Sequence, residues 1–362
     1  MPQALTKSPR LRSVLLAGVI AAVASGLGAQ TSDSLRVRPV FDATAADDTG
    51  VDDTGRGLTA FLRPADTFSR KRFYTSAGIA TGMYAALSVG LYTAWYEDSE
   101  ARGFRTIDDT REWEGMDKLG HVYTTYSYAA YANQGLEWSG VPKRKRLILS
   151  AATSMVLQST VEVFDGLSPD WGFSWADMGA NALGAGVFVV QEGLWDEQRV
   201  FMKFSASRHP HPHTPVPAVN DGGAPTSRAA RATELYGESR WTRFLKDYGG
   251  QTIWLSANPG VLAGRGERAR WPWLMLSVGY SPENVYGAYA NRWRESPDRW
   301  DLEPVAPRSR QFITSIDVDL TRIPTKDRAL KTVLFLANIF KAPAPALLYD
   351  TNAGLQWRWL YF

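Results

Sequence analysis

The chain has 362 residues, of which 44% are hydrophobic, and its formal net charge is +3 at pH 7. This apolar content is enough for the cores of two modest domains and excludes a largely disordered protein. The small net charge, without a long basic helix, gives no indication of a nucleic-acid partner. The sequence has no cysteine, which excludes disulfides and thiolate metal sites, and its 14 tryptophans favour a membrane interface or a carbohydrate-like ligand.

Residues 1–29 have the composition of a secretory signal peptide. Basic residues at the start precede an apolar run from Val14 to Ala24, and small residues follow up to Ala29. We therefore predict export, with a retained membrane anchor as the alternative. Residues 30–68 are polar, contain the sequence DDTG twice and are predicted to form a linker.

Residues 69–205 are predicted to form a bundle of about four helices. The uncharged stretch Ser76–Tyr96 is long enough to span a bilayer, and its many small residues also suit close helix packing. The basic run Lys143–Arg146 opens the third helix, where either anionic lipid headgroups or water would face it. The four predicted helices are Ser76–Tyr96, Leu119–Gln134, Pro142–Phe164 and Ser174–Gly193.

Residues 206–235 form a predicted Pro- and Gly-rich linker, and residues 236–362 a β-rich region. The histidines of the linker alternate with proline, which turns them away from one another and favours incidental positions over a metal site. They are His209, His211 and His213. Four segments have strand composition, and a helix is predicted at Lys326–Phe340. The predicted strands are Gln251–Ala257, Trp271–Ser281, Gln311–Leu320 and Gly354–Phe362.

The sequence thus predicts an α+β protein, with an N-terminal helical bundle followed by a small antiparallel sheet containing one helix. The last strand alternates, so that four side chains are expected on one face: Leu355, Trp357, Trp359 and Tyr361. An aromatic C-terminal strand resembles the end of outer-membrane proteins, although four strands are too few for a conventional barrel.

Three polar patches in the helical region predict a shared site. Residues four apart lie on the same face of a helix, so each patch presents a polar pair to its neighbours. Burying these groups together is cheaper than finding separate partners for each. The pairs are Asp117 with His121, Gln158 with Glu162, and Asp177 with Asn181. The candidate catalytic residues are His121, Glu162, Asp165 and Asp177, and the accompanying polar residues are Asp117, Gln158 and Asn181.

Three interpretations of this cluster remain open. One imidazole among several carboxylates suits a hard or borderline metal ion, and His121 beside Glu162 could exchange protons with a substrate. The third interpretation is structural, with Asp117 capping a helix, Ser174 and Asp177 forming a capping box, and Gly166 ending a helix in the left-handed conformation. The sequence identifies neither a cofactor nor a metal.

The same residues carry a family resemblance. The order D-K-x-x-H, E-x-x-D-G and W-G-F-S-W-x-D-x-x-x-N-x-x-G resembles the YfiM-like family of predicted periplasmic lipoproteins, a domain of unknown function. The likeness continues through K-F-S at 203–205, K-D-Y-x-G-Q-T-x-W-L-S at 246–256 and S-x-D-x-D-L at 315–320. The spacing of the Asp-Lys…His, Glu and Asp…Asn residues is distantly similar to that in VanZ-like membrane proteins. Because the chain has no cysteine, the lipid attachment that the family label implies has no site on it.

The resemblance implies no known activity, because the family is itself uncharacterised. From the sequence as a whole we expect an exported cell-envelope protein, in the periplasm or outer membrane of a Gram-negative bacterium, with a membrane or envelope lipid as partner. Its expected role is structural or ligand-binding. The alternative is a membrane-proximal, metal-dependent hydrolase or transferase that acts on an envelope lipid or glycan.

Overall fold

The computed structural model describes residues 61–95, 103–169, 171–207 and 210–362. The predicted signal peptide and most of the predicted polar linker lie outside these residues. The described part combines eight α-helices with a six-stranded antiparallel sheet, which confirms the mixed α and β class.

Four long helices occupy the first half of the described chain, close to the predicted positions. Helices α2, α3 and α4 pack against one another, and α1 packs against α2. Their bounds are α1 Arg70–Trp95, α2 Met116–Trp138, α3 Lys143–Leu167 and α4 Trp175–Trp195. The shorter helices of the second half are α5 Arg228–Tyr236, α6 Arg240–Lys246, α7 Pro259–Leu262 and α8 Arg328–Ala337.

A typical helix of a water-soluble protein buries an apolar stripe and exposes polar side chains. Helix α3 does the reverse. Every fourth residue lies on the face that packs against α2 and α4, and this face is polar or small. Its buried residues are Arg146, Ser150, Ser154, Gln158, Glu162 and Gly166. The opposite face exposes Ile148, Val156 and Val163.

Among the described helices, α3 is the one that is long and apolar enough to cross a membrane by length and composition. Helix α1 contains most of the stretch Ser76–Tyr96, which the sequence singled out for its length, and it does not meet the same criterion. Polar residues within the predicted span account for this, since Ser, Thr and Gly are frequent there.

A glycine brings α2 and α4 close together. A Cβ atom on Gly184 would lie 2.2 Å from the carbonyl oxygen of Val122, so only a residue without a side chain fits here. This close approach places Asn181, one turn before Gly184, against the face of α2 that carries His121.

The sheet runs antiparallel throughout, in the order β12-β11-β10-β7-β6-β3. Its strands are β3 Val200–Ala206, β6 Gln251–Ala257, β7 Leu274–Glu283, β10 Ser309–Val318, β11 Ala344–Asp350 and β12 Gly354–Tyr361. Three two-stranded pairings lie outside it: β1 Thr106–Ile107 with β2 Phe173–Ser174, β4 Pro215–Val216 with β5 Thr226–Ser227, and β8 Arg292–Glu295 with β9 Asp298–Asp301.

The six-stranded sheet curls until its two ends approach each other. Thr252 Oγ1 on β6 lies 3.0 Å from Tyr361 Oη on β12, although three strands separate β6 from β12 in the sheet. The segment before β11 also pairs with β3: Phe204 N donates to Ile339 O, and Lys341 N donates to Phe204 O, both at 2.9 Å. One face of the sheet is therefore enclosed by the sheet itself.

The enclosed face is rich in polar side chains, and the outer face is apolar. The enclosed residues include Lys203, Ser205, Trp254, Ser256, Ser277, Ile313, Asp317 and Leu348. On the outer face, side chains near β3 pack against the helices, as Phe204 stacks on Tyr123 of α2. Farther from the helices the outer face is exposed, with Leu276, Val278, Phe312, Ile316, Tyr349 and Trp357. The sheet thus resembles α3 in burying polar side chains and exposing apolar ones.

The sheet is larger than the sequence predicted. Strand β3 lies in residues assigned to the helical domain, and β11 was not predicted at all, because Pro343 and Pro345 were interpreted only as signals that end a helix. Pro345 is accommodated because the pairing of β11 with β12 skips at this residue, and a proline without an N–H is tolerated at such a bulge. The prediction of a single helix in this half was wrong for the described residues, where α5 to α8 follow β3.

The same bulge corrects the predicted alternation of β12. Leu355 and Trp357 share one face as predicted, and it is the outer one, but Tyr361 faces the enclosed side, where it packs against Trp254. The pairs Ala346 with Arg358 and Ala344 with Tyr361 show one additional residue in β12. One additional residue reverses the side to which all later side chains point.

Candidate functional site

The predicted polar pairs converge around His121 on α2. Its Nδ1 atom lies 3.1 Å from Asn181 Oδ1 of α4 and 3.1 Å from Gln158 Nε2 of α3. Thr125 Oγ1, one turn along α2, donates to the same Asn181 oxygen at 3.0 Å. Amide groups from two other helices therefore hold one side of the imidazole ring in place.

The other ring nitrogen faces three carboxylates. His121 Nε2 lies 3.4 Å from Glu162 Oε1, 3.6 Å from Asp177 Oδ1 and 3.9 Å from Asp117 Oδ1. These acids come from α3, α4 and α2, so the packing of all three helices is needed to assemble this side of the site. Tyr248, from beyond the predicted linker, donates its hydroxyl to Asp117 at 3.2 Å.

A lysine that was not among the predicted polar pairs contacts three of the acids. Lys118 Nζ is 2.8 Å from carboxylate oxygens of Asp109, Asp117 and Asp177. Asp109, just after β1, also accepts a hydrogen bond from the Ser174 hydroxyl. Three carboxylates thus share a single ammonium group, and a fourth carboxylate, that of Glu162, lies next to His121.

Two of the carboxylates are almost completely buried and incompletely paired. Glu162 is 1% exposed and Asp177 is 3% exposed. Ser174 N donates to Glu162 Oε2 at 3.2 Å, but Glu162 Oε1 accepts no hydrogen bond from the described residues. Such an atom is rare in folded proteins, because an unpaired buried acceptor costs about 1–3 kcal/mol. Asp177 Oδ1 lies 2.8 Å from the Lys118 ammonium, which it shares with two other carboxylates.

The pKa values reflect this excess of negative charge. Burial raises the pKa of Glu162 to about 9, and the charges of Asp177 and Asp165 add to the shift. Burial and the charge of Asp117 raise the pKa of Asp177 to about 8, although the hydrogen bond from Lys118 opposes the change. Burial acts against the ammonium form of Lys118, but the surrounding acids still raise its pKa.

The structural interpretations of single residues apply only in part. Ser174 does cap α4, since its Oγ accepts a hydrogen bond from Asp177 N at 3.1 Å. Asp117 does not cap α2, whose N-cap is Gly115. Gly166 lies inside α3, which ends at Leu167, and it is not among the residues with positive φ. Asp165 is half-buried near the end of α3 and acts on Glu162 through its charge.

Several members of the site were not among the polar pairs selected by helical spacing. Lys118 and Tyr248 belong to the motifs D-K-x-x-H and K-D-Y-x-G-Q-T that carry the family resemblance, but neither lies four residues from a polar partner on a predicted helix. Asp109 lies before the first polar patch. Thr125, one turn after His121, was the one member that the helical spacing could have identified.

One linker histidine is also ordered by contacts. His211 Nε2 lies 2.9 Å from Asp247 Oδ2, and its Nδ1 lies 3.1 Å from Tyr286 Oη. His213 is exposed, and His209 lies outside the described residues. His211 therefore anchors the predicted linker to the second half of the chain, where the sequence analysis had assigned it no role.

A comparison with protein families connects the site to a known group. Residues 106–192 match the model of a family described as predicted periplasmic lipoprotein (DUF2279). Comparisons with curated proteins and with solved structures give no significant match. Within the site, only Tyr248 lies outside the matched segment. The match supports an exported protein of unknown function with a periplasmic or membrane-associated location, and it does not extend to the finer likeness to YfiM-like or VanZ-like proteins.

Proposed function

We propose that this chain is an exported cell-envelope protein that works at a lipid bilayer and binds a ligand in the cluster around His121. The observation that carries the proposal is the distribution of side chains on α3, which buries the polar Gln158 and Glu162 and exposes the apolar Ile148 and Val156. Burying apolar surface stabilises a protein by about 25 cal/mol per Å², so an exposed apolar helix face favours contact with lipid.

The basic residues at the start of α3 also favour contact of its outer face with a bilayer. Arg144 and Lys145 are exposed beside the first turn, next to the apolar outer face. Basic residues near a membrane surface are attracted to anionic headgroups by about 1 kcal/mol each. A bilayer would therefore contact the outer face of α3 with acyl chains and its basic end with headgroups.

The outer face of the sheet supports the same environment. Trp357 and Trp359 on β12 are exposed, Trp359 by 80%, and tryptophan is enriched where a membrane meets water. Phe312 and Tyr349 extend the aromatic surface across the paired strands β10 and β11. Helix α3 and the sheet thus both present apolar side chains outward and polar side chains inward.

Membrane association is tested by flotation of the purified chain with vesicles that contain an anionic phospholipid. The wild type should float with the vesicles, and Ile148→Glu and Val156→Glu should shift it to the soluble fraction. Val219→Glu is the control, because Val219 is also exposed but lies in a loop outside the helices and strands. A wild-type protein that remains wholly soluble, or equal flotation of all variants, would contradict the proposal.

A second candidate is a hydrolase or transferase that acts on an envelope lipid or glycan. It is favoured by Glu162, whose raised pKa of about 9 keeps the carboxyl protonated at neutral pH, 3.4 Å from His121 Nε2. A protonated carboxyl beside an imidazole suits general acid–base chemistry. In an assay on extracted envelope lipids and glycans, Glu162→Gln should abolish turnover while the far-UV circular dichroism spectrum is retained.

A further inference from the structure

The cluster around His121 has the composition and geometry of a cation site. We propose that it binds one divalent metal ion between His121 Nε2, Glu162 Oε1 and Asp177 Oδ1, with Asp117 Oδ1 as the fourth ligand. This inference rests on the proposed ligand-binding role and names its ligand.

The distances between the ligand atoms suit a small cation. Metal bonds of about 2.0–2.2 Å in a tetrahedral site give ligand–ligand separations of about 3.4 Å. The three carboxylate oxygens lie 3.4, 3.6 and 3.9 Å from His121 Nε2. Ligand atoms of Asp117, His121 and Asp177 also lie within 4.8 Å of one another. Small side-chain rotations therefore complete the set.

The charge balance of the site calls for a further cation. Lys118 contacts Asp109, Asp117 and Asp177, but its one positive charge balances only one of these three carboxylates. With Glu162, three carboxylates remain without a compensating charge. Uncompensated buried carboxylates are costly and otherwise take up protons. A divalent ion would neutralise most of this excess at once.

An unpaired atom gives an independent indication of the position of the ion. Glu162 Oε1 is almost completely buried, lies 3.4 Å from His121 Nε2 and accepts no hydrogen bond within the described residues. Asp177 Oδ1, 3.6 Å from the same nitrogen, shares the Lys118 ammonium with Asp109 and Asp117. A metal ion between these two oxygens would use the free lone pair of Glu162 and a second lone pair of Asp177.

The other side of the ring is arranged as in metal-bound histidines, whose second nitrogen donates to a fixed acceptor. Asn181 Oδ1 lies 3.1 Å from Nδ1, and the Thr125 hydroxyl holds this amide oxygen in place. Gln158 Nε2 also lies 3.1 Å from Nδ1, and turning this amide by 180° would let its oxygen accept the same proton. The proton on Nδ1 leaves the lone pair of Nε2 directed at the carboxylates.

The donor set selects the class of metal. One imidazole with three carboxylates suits Mn²⁺, Fe²⁺ or Zn²⁺ better than Cu(I), which prefers sulfur. Ca²⁺ takes six to eight oxygen ligands and is less suited to a site with an imidazole nitrogen. The proposed ion is therefore a borderline divalent cation.

The experiment measures binding of Zn²⁺ and Mn²⁺ to the purified full chain after treatment with a chelator. Isothermal titration calorimetry should show one ion per chain. His121→Ala and Glu162→Gln should weaken binding by more than about 100-fold. Asn181→Ala should weaken it by about 10–100-fold, the usual range for a residue that orients a ligand.

Matched controls separate this site from incidental binding. His213→Ala removes an exposed histidine, and Glu192→Gln removes a buried carboxylate that pairs with Arg146 at the other end of the helices. Both should bind Zn²⁺ and Mn²⁺ as the wild type does. Asp117→Asn, at a partly exposed ligand, provides a ligand variant that folds if Glu162→Gln does not.

The proposal fails if the chelated wild type takes up neither ion, or if the ligand variants bind as tightly as the controls. Metal binding is measured in solution, and membrane association by flotation with vesicles. A protein that binds the cation but does not float would contradict only membrane association, and one that floats without binding would contradict only the metal site.

Discussion

The helical region and the curled sheet both bury polar groups, but they satisfy them differently. Inside the sheet, Lys203 pairs with Asp317 at 3.2 Å, and both side chains are fully buried. Both Asp317 oxygens accept hydrogen bonds, from Ser256 Oγ on one side and from backbone N–H groups of Val318 and Ala342 on the other. Around His121, by contrast, carboxylates outnumber the ammonium group: Glu162 Oε1 lacks a donor among the described residues, and Asp177 shares Lys118 with two other carboxylates.

This difference separates a structural network from the cluster that we propose to bind a ligand. A buried pair with all its hydrogen bonds made can hold strands in register, and it leaves nothing for a ligand to do. A buried cluster with excess charge stabilises the fold poorly, which supports the proposed ligand. The following predictions test this distinction, from the largest expected effect to the smallest.

Asp317→Asn should strongly destabilise the protein. The substitution keeps the shape of the side chain but leaves the Lys203 ammonium without its partner, which costs about 3–5 kcal/mol. The free energy of unfolding, measured by denaturant titration with tryptophan fluorescence, should fall by this amount. Asp301→Asn, in the solvent-exposed pair with Arg292, should cost less than about 1 kcal/mol. Equal effects of the two substitutions would show that the enclosed pair does not support the sheet.

Gly184→Ala should destabilise the helical region by about 1–3 kcal/mol, because its methyl group would meet the backbone of α2 at Val122. Gly186 is two residues further along α4, and no atom lies within 4 Å of the position that its methyl group would take. Gly186→Ala should therefore be neutral or stabilising, by up to about 1 kcal/mol. Thermal unfolding followed by circular dichroism at 222 nm measures both, and a reversed order would contradict the close contact of α2 and α4.

Lys341 should make the stability of the sheet depend on pH. Burial lowers the pKa of this lysine from 10.5 to about 8. Its contribution to stability is therefore fully present above pH 10.5 and is lost as the pH falls through about 8. Relative to Lys341→Met, the wild type should gain up to about 1.4 kcal/mol per pH unit between pH 8 and 10.5.

Unfolding free energies at several pH values check this expectation. Lys331→Met, at an exposed lysine of α8, controls for the loss of a positive charge. If the wild type and Lys341→Met differ by a constant amount over this pH range, Lys341 does not titrate there.

Glu162→Gln should change the stability of the chelated protein by no more than about 1 kcal/mol. At neutral pH the buried carboxyl is protonated, and an amide of the same size replaces it without removing a compensated charge. Denaturant unfolding at pH 7 gives the comparison with Asp317→Asn. A loss as large as that of Asp317→Asn would make the cluster a structural network like that of the sheet.

Much of the helical region could be predicted from local pattern. The spacing of polar pairs placed Asp117 and His121, Gln158 and Glu162, and Asp177 and Asn181 on common helix faces, and a helix has a fixed rise and rotation per residue. Strand β6 was predicted with its observed bounds, since its composition and flanking glycines are local signals. The sequence did not predict β11, because its prolines indicate a helix end when the neighbouring strands are unknown.

What the sequence determined by itself was the chemistry available on each element: a mixed α and β chain, and helices that each carry one acidic, amide or imidazole pair. Tertiary structure alone decided which groups meet. It placed Lys118 among three carboxylates, brought Tyr248 to Asp117 across the chain, and enclosed Lys203 with Asp317 inside the sheet. The physical reason is that periodicity is set within one element, whereas charge balance depends on the distances between elements, which only their packing defines.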